Sequence, residues 1–197
     1  MPTEQAHAEA ARRFEAFYSE QYASIYAYVH RRLTHSPAEV ADVVAEIFTV
    51  AWRRFEDVPA APGDRLWLYG VARRCVLRHH RTSWRRSRLQ ARVLGAVSEQ
   101  PSPMSSRSID PLTGQVRDAI ARLRPLDREV LRLVMWEDLS HAEAAEVLGC
   151  SVNAVALRLR RARGRLRDEL VSDTASDTAT PSPSNLAPSA GRRRNTP

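Results

Sequence analysis

The chain has 197 residues and a formal net charge of +7, and all thirty of its basic residues are arginine. This length allows one domain or two small ones with modest cores, and the charge favours a polyanionic partner such as nucleic acid. The two cysteines lie far apart and offer no metal-ligand spacing, no apolar run is long enough to cross a membrane, and no signal peptide is recognisable. We therefore expect a cytoplasmic protein with buried thiols, no cofactor and no membrane insertion.

The first two helices are predicted from periodicity and from cap residues. Aromatic and aliphatic residues recur every three or four positions from about residue 8 to residue 33, which is typical of a helix with one core-facing stripe. Ser36 is placed to cap a second helix, with Pro37 at its first position and Glu39 completing a capping box. Residues 59–63 then break the chain.

A strongly basic helix is predicted next, with Asp64 as its cap and its end near Arg92. Between residues 65 and 98 the chain carries nine arginines and no acidic residue. The preceding helix is acidic by contrast, so the first half of the chain combines an acidic surface with a basic one.

The composition of residues 95–113 is that of a flexible linker, rich in serine and proline. Two short helical patterns follow, at about residues 114–123 and 127–136, separated by Pro125. From residue 172 to residue 197 the chain consists mostly of Ser, Thr, Ala, Asp and Pro, which predicts a disordered tail.

A helix-turn-helix is predicted between residues 139 and 166. Ser140 and Glu143 form a capping box, Gly149 stands where a helix end favours a left-handed residue, and Ser151 is placed to cap the next helix. The second helix carries one apolar stripe at helical spacing, formed by Val152, Val155, Leu159, Ala162 and Leu166. Its other face is cationic, as suits the major groove of DNA, although an ordinary helical hairpin with a solvated charged face shows some of the same features.

These elements predict an all-α protein made of two small helical domains on a flexible linker. The first domain covers residues 8–94, the linker 95–113, the second domain 114–171 and the tail 172–197.

Three stretches resemble the extracytoplasmic-function (ECF) group of bacterial sigma factors, a branch of the sigma-70 family. They are AEVADVVAEIFTVAWRRF (38–55), DRLWLYGVARRCVLRHHR (64–81) and LRPLDREVLRLVMWEDLSHAEAAEVLGCSVNAVALRLRRARGRL (123–166). In that family the first docks on RNA polymerase, the second engages and opens the minus-10 element, and the third recognises the minus-35 element. The resemblance thus implies core RNA polymerase and promoter DNA as partners, and an anti-sigma factor as a plausible third.

The resemblance also implies three groups of functional residues. The polymerase-binding group is Asp42, Glu46, Thr49 and Arg53. The minus-10 group combines phosphate-binding arginines with aromatic rings that can stack on bases, and comprises Trp67, Tyr69, Arg73, Arg74, Arg78 and Arg81. The minus-35 group comprises Ser151, Asn153, Ala154, Leu157, Arg158, Arg160, Arg161 and Arg163. The family often has an asparagine where this chain has Arg74. It also often has Gly-Thr-Val-Lys/Arg-Ser-Arg where this chain has Asn-Ala-Val-Ala-Leu-Arg at residues 153–158, which removes polar residues from the outer face, so the family's promoter preference does not transfer.

Two other classes of protein share some of these features. A stand-alone helix-turn-helix regulator needs no acidic docking helix followed by a basic one, and usually carries a dimerisation helix that this sequence lacks. An enzyme is disfavoured because the histidines have no carboxylate or cysteine partner at catalytic spacing, and no glycine-rich phosphate loop occurs.

Overall fold

The computed structural model describes residues 4–33, 36–94 and 111–177, and in these ranges every regular element is helical. The helices are α1 (Glu4–His30), α2 (Pro37–Arg53), α3 (Gly63–Leu94), α4 (Pro111–Arg122), α5 (Pro125–Met135), α6 (His141–Leu148) and α7 (Val152–Asp177), with one 3-10 turn at Phe55–Asp57. The predicted all-α class is confirmed. None of the helices in these ranges is long and apolar enough to cross a membrane.

Helices α1, α2 and α3 pack together as one unit, here called the first unit. Its core is the apolar stripe of each helix, and Ile25, Val40 and Leu68 are almost completely buried in it. Ser36 begins α2 as predicted, because its hydroxyl accepts a hydrogen bond from the Glu39 N–H at 3.4 Å. The Phe14 ring contacts the Phe55 ring edge-on, with 5.2 Å between centroids, which ties the first half of α1 to the 3-10 turn after α2.

Helices α4 to α7 form the second unit, in which α6 and α7 are the predicted helix-turn-helix. The Ser140 hydroxyl accepts from the Glu143 N–H at 3.2 Å, and the Glu143 carboxylate accepts from the Ser140 N–H at 2.8 Å, so the capping box is present in full. Gly149 has φ +65° and ends α6. The Ser151 hydroxyl caps α7 by accepting from the Ala154 N–H at 3.2 Å.

The two units share one continuous apolar core, because α6 of the second unit packs against α3 of the first. Within the second unit, α7 contributes Val155, Leu159 and Ala162 to that core, as the stripe predicted. The position of the helix-turn-helix relative to α3 is therefore set by packing as well as by the chain connection.

Four predictions are corrected. Val152 is 47% exposed instead of buried, because it is the first residue of α7, and the buried stripe of that helix begins one turn later, at Val155. Asp64 lies inside the first turn of α3, which begins one residue earlier. Helix α4 begins within the predicted linker, at Pro111, and α7 continues to Asp177 because no proline interrupts it before residue 181. The rest of the predicted linker and tail lies outside the described residues.

The cysteines are free thiols in different surroundings. Cys75 is buried in the first unit, and this burial raises the pKa of its thiol, so the thiol stays protonated and unreactive. Cys150 is only half-buried, at the turn of the helix-turn-helix.

The left-handed conformation at the helix-turn-helix leads to a stability prediction. Gly149→Ala should cost about 1 kcal/mol, because an L residue with a side chain is strained at this φ although nothing obstructs a Cβ there. Gly164→Ala is the matched control. It lies inside α7 with nothing near a Cβ, so alanine should stabilise the chain by about 0.5–1 kcal/mol. Urea unfolding of both variants tests this. If the unfolding midpoints of the two variants shifted in the same direction, the left-handed conformation assigned to Gly149 would be contradicted.

Candidate nucleic-acid interface

The outer face of α7 is the first candidate surface. Its residues at 153, 157, 160 and 161 lie opposite the buried stripe and are exposed, with Leu157 48% exposed. Ala154 and Arg158 are half-buried at the edge of this face, and Ser151 is occupied in capping the helix. Arg163 points elsewhere, since its guanidinium contacts the Met135 sulfur on α5 at 3.8 Å. The predicted minus-35 group is thus divided between an exposed face and its margins.

The arginine-rich part of α3 is the second candidate surface. Arg74 and Arg81 are exposed on it, Arg73 is half-buried, and Trp67 is packed against the core. Trp84 extends into solvent with 63% of its surface exposed, and the guanidinium of Arg88 lies over its ring at 5.3 Å from the centroid. An exposed indole among guanidinium groups is suited to stacking on an unpaired base.

Tyr69 does not belong to this surface, which corrects its assignment to base stacking. Its side chain is 1% exposed, and its ring lies 5.3 Å from the ring of Tyr28 in the first unit's core. The helix places residue 69 on the face of α3 that packs against α1, and sequence spacing alone does not separate that face from the basic one.

The outer face of α2 is the third candidate surface. Asp42, Thr49 and Arg53 are exposed on it, and Thr49 donates its hydroxyl proton to the Ala45 carbonyl at 2.7 Å. Glu46 forms an ion pair with Arg78 of α3, so a residue predicted for the polymerase is paired with one predicted for DNA. The neighbouring Trp52 is 45% exposed and was missed by the sequence analysis, although an indole beside this face is a common feature of protein interfaces.

A buried ionic cluster joins the two units. Arg32, just after α1, lies between two carboxylates of the second unit. Its guanidinium binds Glu129 of α5 at 3.1 Å and Glu137, just after α5, at 2.9 Å. The Tyr28 hydroxyl also donates to Glu129 at 3.0 Å. On the other side Arg65 of α3 donates to the Glu137 carbonyl at 2.7 Å. Five residues, three from the first unit and two from the second, thus satisfy one another's charges and polar groups.

The electrostatics of this cluster keep its charges in place. Burial raises the pKa of Tyr28 well above its usual value, so the phenol stays neutral and acts as a donor. Burial also acts against the charge of Arg32, but the neighbouring Tyr28, Glu129 and Glu137 outweigh it, and the pKa of Arg32 is raised. No local sequence pattern marks this cluster, because its members lie about a hundred positions apart.

Among residues 4–33, 36–94 and 111–177, no group of three or more His, Cys, Asp or Glu side chains is arranged to hold a metal ion. A helix-turn-helix with a cationic outer face and a separate basic helix carrying an exposed tryptophan define an all-helical DNA-binding protein in two parts.

Comparison with known proteins places this class in a family. The model of Sigma-70 region 2 matches residues 17–86, and that of Sigma-70, region 4 matches residues 113–166. The ECF RNA polymerase sigma factor SigL of Mycobacterium tuberculosis is 32% identical over 164 residues, covering 82% of this chain and 90% of that protein. The chain belongs to the ECF sigma factors of the sigma-70 family, which confirms the resemblance.

Solved structures of sigma factors share this fold. The sigma factor RpoE of Bartonella quintana, solved in complex with the anti-sigma factor NepR, has a TM-score of 0.63 at 20% identity, covering 82% of this chain and 99% of that one. CnrH, solved with the cytosolic domain of CnrY, has a TM-score of 0.60 at 25% identity, covering 84% and 95%.

The contrast between a buried and an exposed aromatic residue can be tested directly. Trp84→Ala should weaken binding of a single-stranded oligonucleotide by about 1–3 kcal/mol, because one stacking platform is lost. Tyr69→Phe should leave binding unchanged, since that ring does not reach solvent. Fluorescence anisotropy measures both, with Trp84→Phe as the variant that retains a ring. Equal losses in the tyrosine and tryptophan variants would refute the assignment.

Proposed function

We propose that the protein binds core RNA polymerase and directs it to specific promoters. The observation that carries this function is the presence of both sigma-70 regions on one chain, in the family's order, with a polar α2 face available for docking. In this role the protein catalyses no bond chemistry of its own and acts in the cytoplasm, where polymerase and promoter are found.

The two units act on different promoter elements. The second unit binds the minus-35 element as duplex, with Asn153 and Arg158 directed at base edges and Arg160 and Arg161 at phosphates. The first unit binds the minus-10 element through the basic side of α3 and captures a displaced base on Trp84. The exposed side chains on both helices support this division.

Polymerase docking falls to the outer face of α2. Asp42 supplies negative charge there, and Trp52 supplies apolar area beside it. The Glu46–Arg78 pair connects this face to α3. The pair is largely exposed and therefore contributes little stability, so it can exchange for contacts with polymerase or DNA at low cost.

Promoter binding requires the two units to separate. The positions that name the minus-10 and minus-35 elements differ by about 25 base pairs, which is about 85 Å of duplex at about 3.4 Å per base pair. In the structure the units share a core and an ionic cluster, and α3, which carries the first unit's basic surface, packs directly against α6 of the helix-turn-helix. The arrangement described is therefore a closed form, and docking on polymerase supplies the free energy that opens it.

An anti-sigma factor is a further partner we propose. Support comes from the shared fold with RpoE, which was solved with such a factor, and from the closed form, which a third protein would have only to stabilise. The alternative is a stand-alone helix-turn-helix regulator, which would bind duplex tightly without polymerase.

Separate substitutions should divide the two functions. Arg158→Ala should weaken promoter binding about tenfold while polymerase binding is unchanged, because a base-edge contact is worth about 1–3 kcal/mol. Arg167→Ala is the control, since this exposed arginine on α7 lies outside the predicted minus-35 group. Promoter binding by the assembled holoenzyme, measured by gel shift, tests this; equal effects of the two substitutions would contradict it.

Asp42→Arg should do the reverse, reducing affinity for core polymerase while leaving duplex binding intact. Glu20→Arg makes the same charge change at an exposed position of α1 and serves as its control. Polymerase affinity is measured by surface plasmon resonance. Loss of duplex binding in Asp42→Arg would rule out the separate docking face.

Run-off transcription with core polymerase tests the function itself. New transcripts that depend on this protein are expected from a pool of genomic promoter fragments. An absence of polymerase binding, together with tight duplex binding by the chain alone, would favour the stand-alone regulator.

A further inference from the structure

A cleft of about 360 Å³ opens between the two units, next to the ionic cluster. Its apolar wall is formed by Val76 and Leu77 of α3 on one side and by Leu126 of α5 on the other. Concave sites with apolar walls and a few convergent polar groups are typical of small-molecule binding, and this volume lies at the lower end of their range.

The charges that line the cleft do not balance. Five arginines line it against two carboxylates, those of Asp118 and Glu129. Both carboxylates are engaged, because Asp118 pairs with Arg117 at 3.5 Å and Glu129 binds Tyr28 and Arg32. The cleft therefore holds more positive charge than the described residues neutralise.

Two of the cleft's guanidinium groups make no hydrogen bond or ion pair within the described part of the chain. They are Arg73 of α3 and Arg132 of α5, one from each unit, and both are half-buried. Burial, together with the nearby charges of Arg32 and Arg128, lowers the pKa of Arg132 to about 10. The nearby Glu129 offsets only part of this effect, so the charge of Arg132 is held at a cost in free energy that a bound anion would relieve.

We propose that this cleft binds a nucleoside diphosphate or triphosphate, with the phosphate groups bridging Arg73 and Arg132 and the base lying on the apolar wall. Planar guanidinium groups match phosphate oxygens in geometry and charge. A base in contact with Val76, Leu77 and Leu126 accounts for the uncharged part of the lining. Since the two arginines belong to different units, the bound ligand stabilises the closed form.

A DNA backbone fits this cleft less well than a free nucleotide. The cleft lies between the units, whereas the guanidinium groups that could follow a phosphate backbone are on the exposed sides of α3 and α7. An acidic peptide would have to supply several carboxylates to match the charge that a diphosphate brings to these arginines in one compact group. These two occupants therefore become outcomes of the test.

Binding can be measured by isothermal titration of the full chain with ADP and with inorganic pyrophosphate at 150 mM salt, where diffuse surface attraction is screened. We expect saturable one-to-one binding of ADP, weaker binding of pyrophosphate, and at least a tenfold loss of ADP affinity in both Arg73→Gln and Arg132→Gln. Arg160→Gln removes an exposed arginine of α7 and should change affinity less than twofold. Equal losses in all three variants would indicate general charge attraction and overturn the proposal.

Two further variants test folding and bridging. Arg132→Leu should unfold at the same or a higher urea concentration than the parent chain without ligand, and should not bind ADP. Glu137→Gln weakens the ionic cluster from outside the cleft, so it should also reduce ADP affinity severalfold if both units must be in place. Unchanged ADP affinity in Glu137→Gln would show that the ligand does not bridge the two units. A large loss of stability in Arg132→Leu would show that Arg132 stabilises the fold, and either result would overturn the proposal.

Titrations with other ligands distinguish the possible occupants of the cleft. If a single-stranded oligonucleotide binds in an Arg132-dependent manner and ADP does not bind, the cleft is a DNA site. If only the binding of an acidic partner protein depends on Arg132, the cleft is the site for that partner. Either result overturns the proposal. The titrations contain no polymerase or promoter, so a failure here leaves the sigma function intact. A negative result in run-off transcription likewise says nothing about whether the cleft binds ADP.

Discussion

The arrangement of this molecule depends on a single buried guanidinium. Arg32 is 6% exposed and makes its ion pairs entirely across the boundary between the units, to Glu129 and Glu137. Its guanidinium also lies 3.4 Å from the centroid of the Tyr28 ring, so one side chain satisfies a carboxylate, a second carboxylate and an aromatic face. A buried ion pair gains little net stability, because the cost of desolvating both charges offsets most of their attraction. The cluster therefore fixes how the units fit together more than it strengthens the fold.

That energetic balance is compatible with the separation of the units proposed for promoter binding. The apolar contact between α6 and α3 favours the closed form, whereas the ions of the cluster regain water when the units part. A partner that binds a unit more tightly in the open form than in the closed form shifts the population towards the open form. The size of the shift is set by the difference between the two affinities.

Local features of the fold were predictable from the sequence, and features made by distant residues were not. The capping box at Ser140, the left-handed Gly149 and the apolar stripe of α7 depend on neighbours within a few positions, so the sequence determines them directly. The burial of Tyr69 depends on which side of α3 meets α1, and the ionic cluster depends on residues about a hundred positions apart. The exposed Trp52 could have been noted, because it lies beside the face assigned to polymerase.

The distribution of arginine separates structural charge from charge held for a partner. Arg32 and Arg65 are bound to acceptors within the protein, and Arg122 pairs with Glu169 inside the second unit. On the outer face of α7, guanidinium groups remain directed at solvent, where hydration satisfies them at little cost until phosphates replace the water. Arg132 belongs to neither group, because it is partly desolvated and has no acceptor in the described residues. Hydration satisfies it less than it does an arginine of α7, and an anion therefore has more to gain at this cleft than on the exposed basic surfaces.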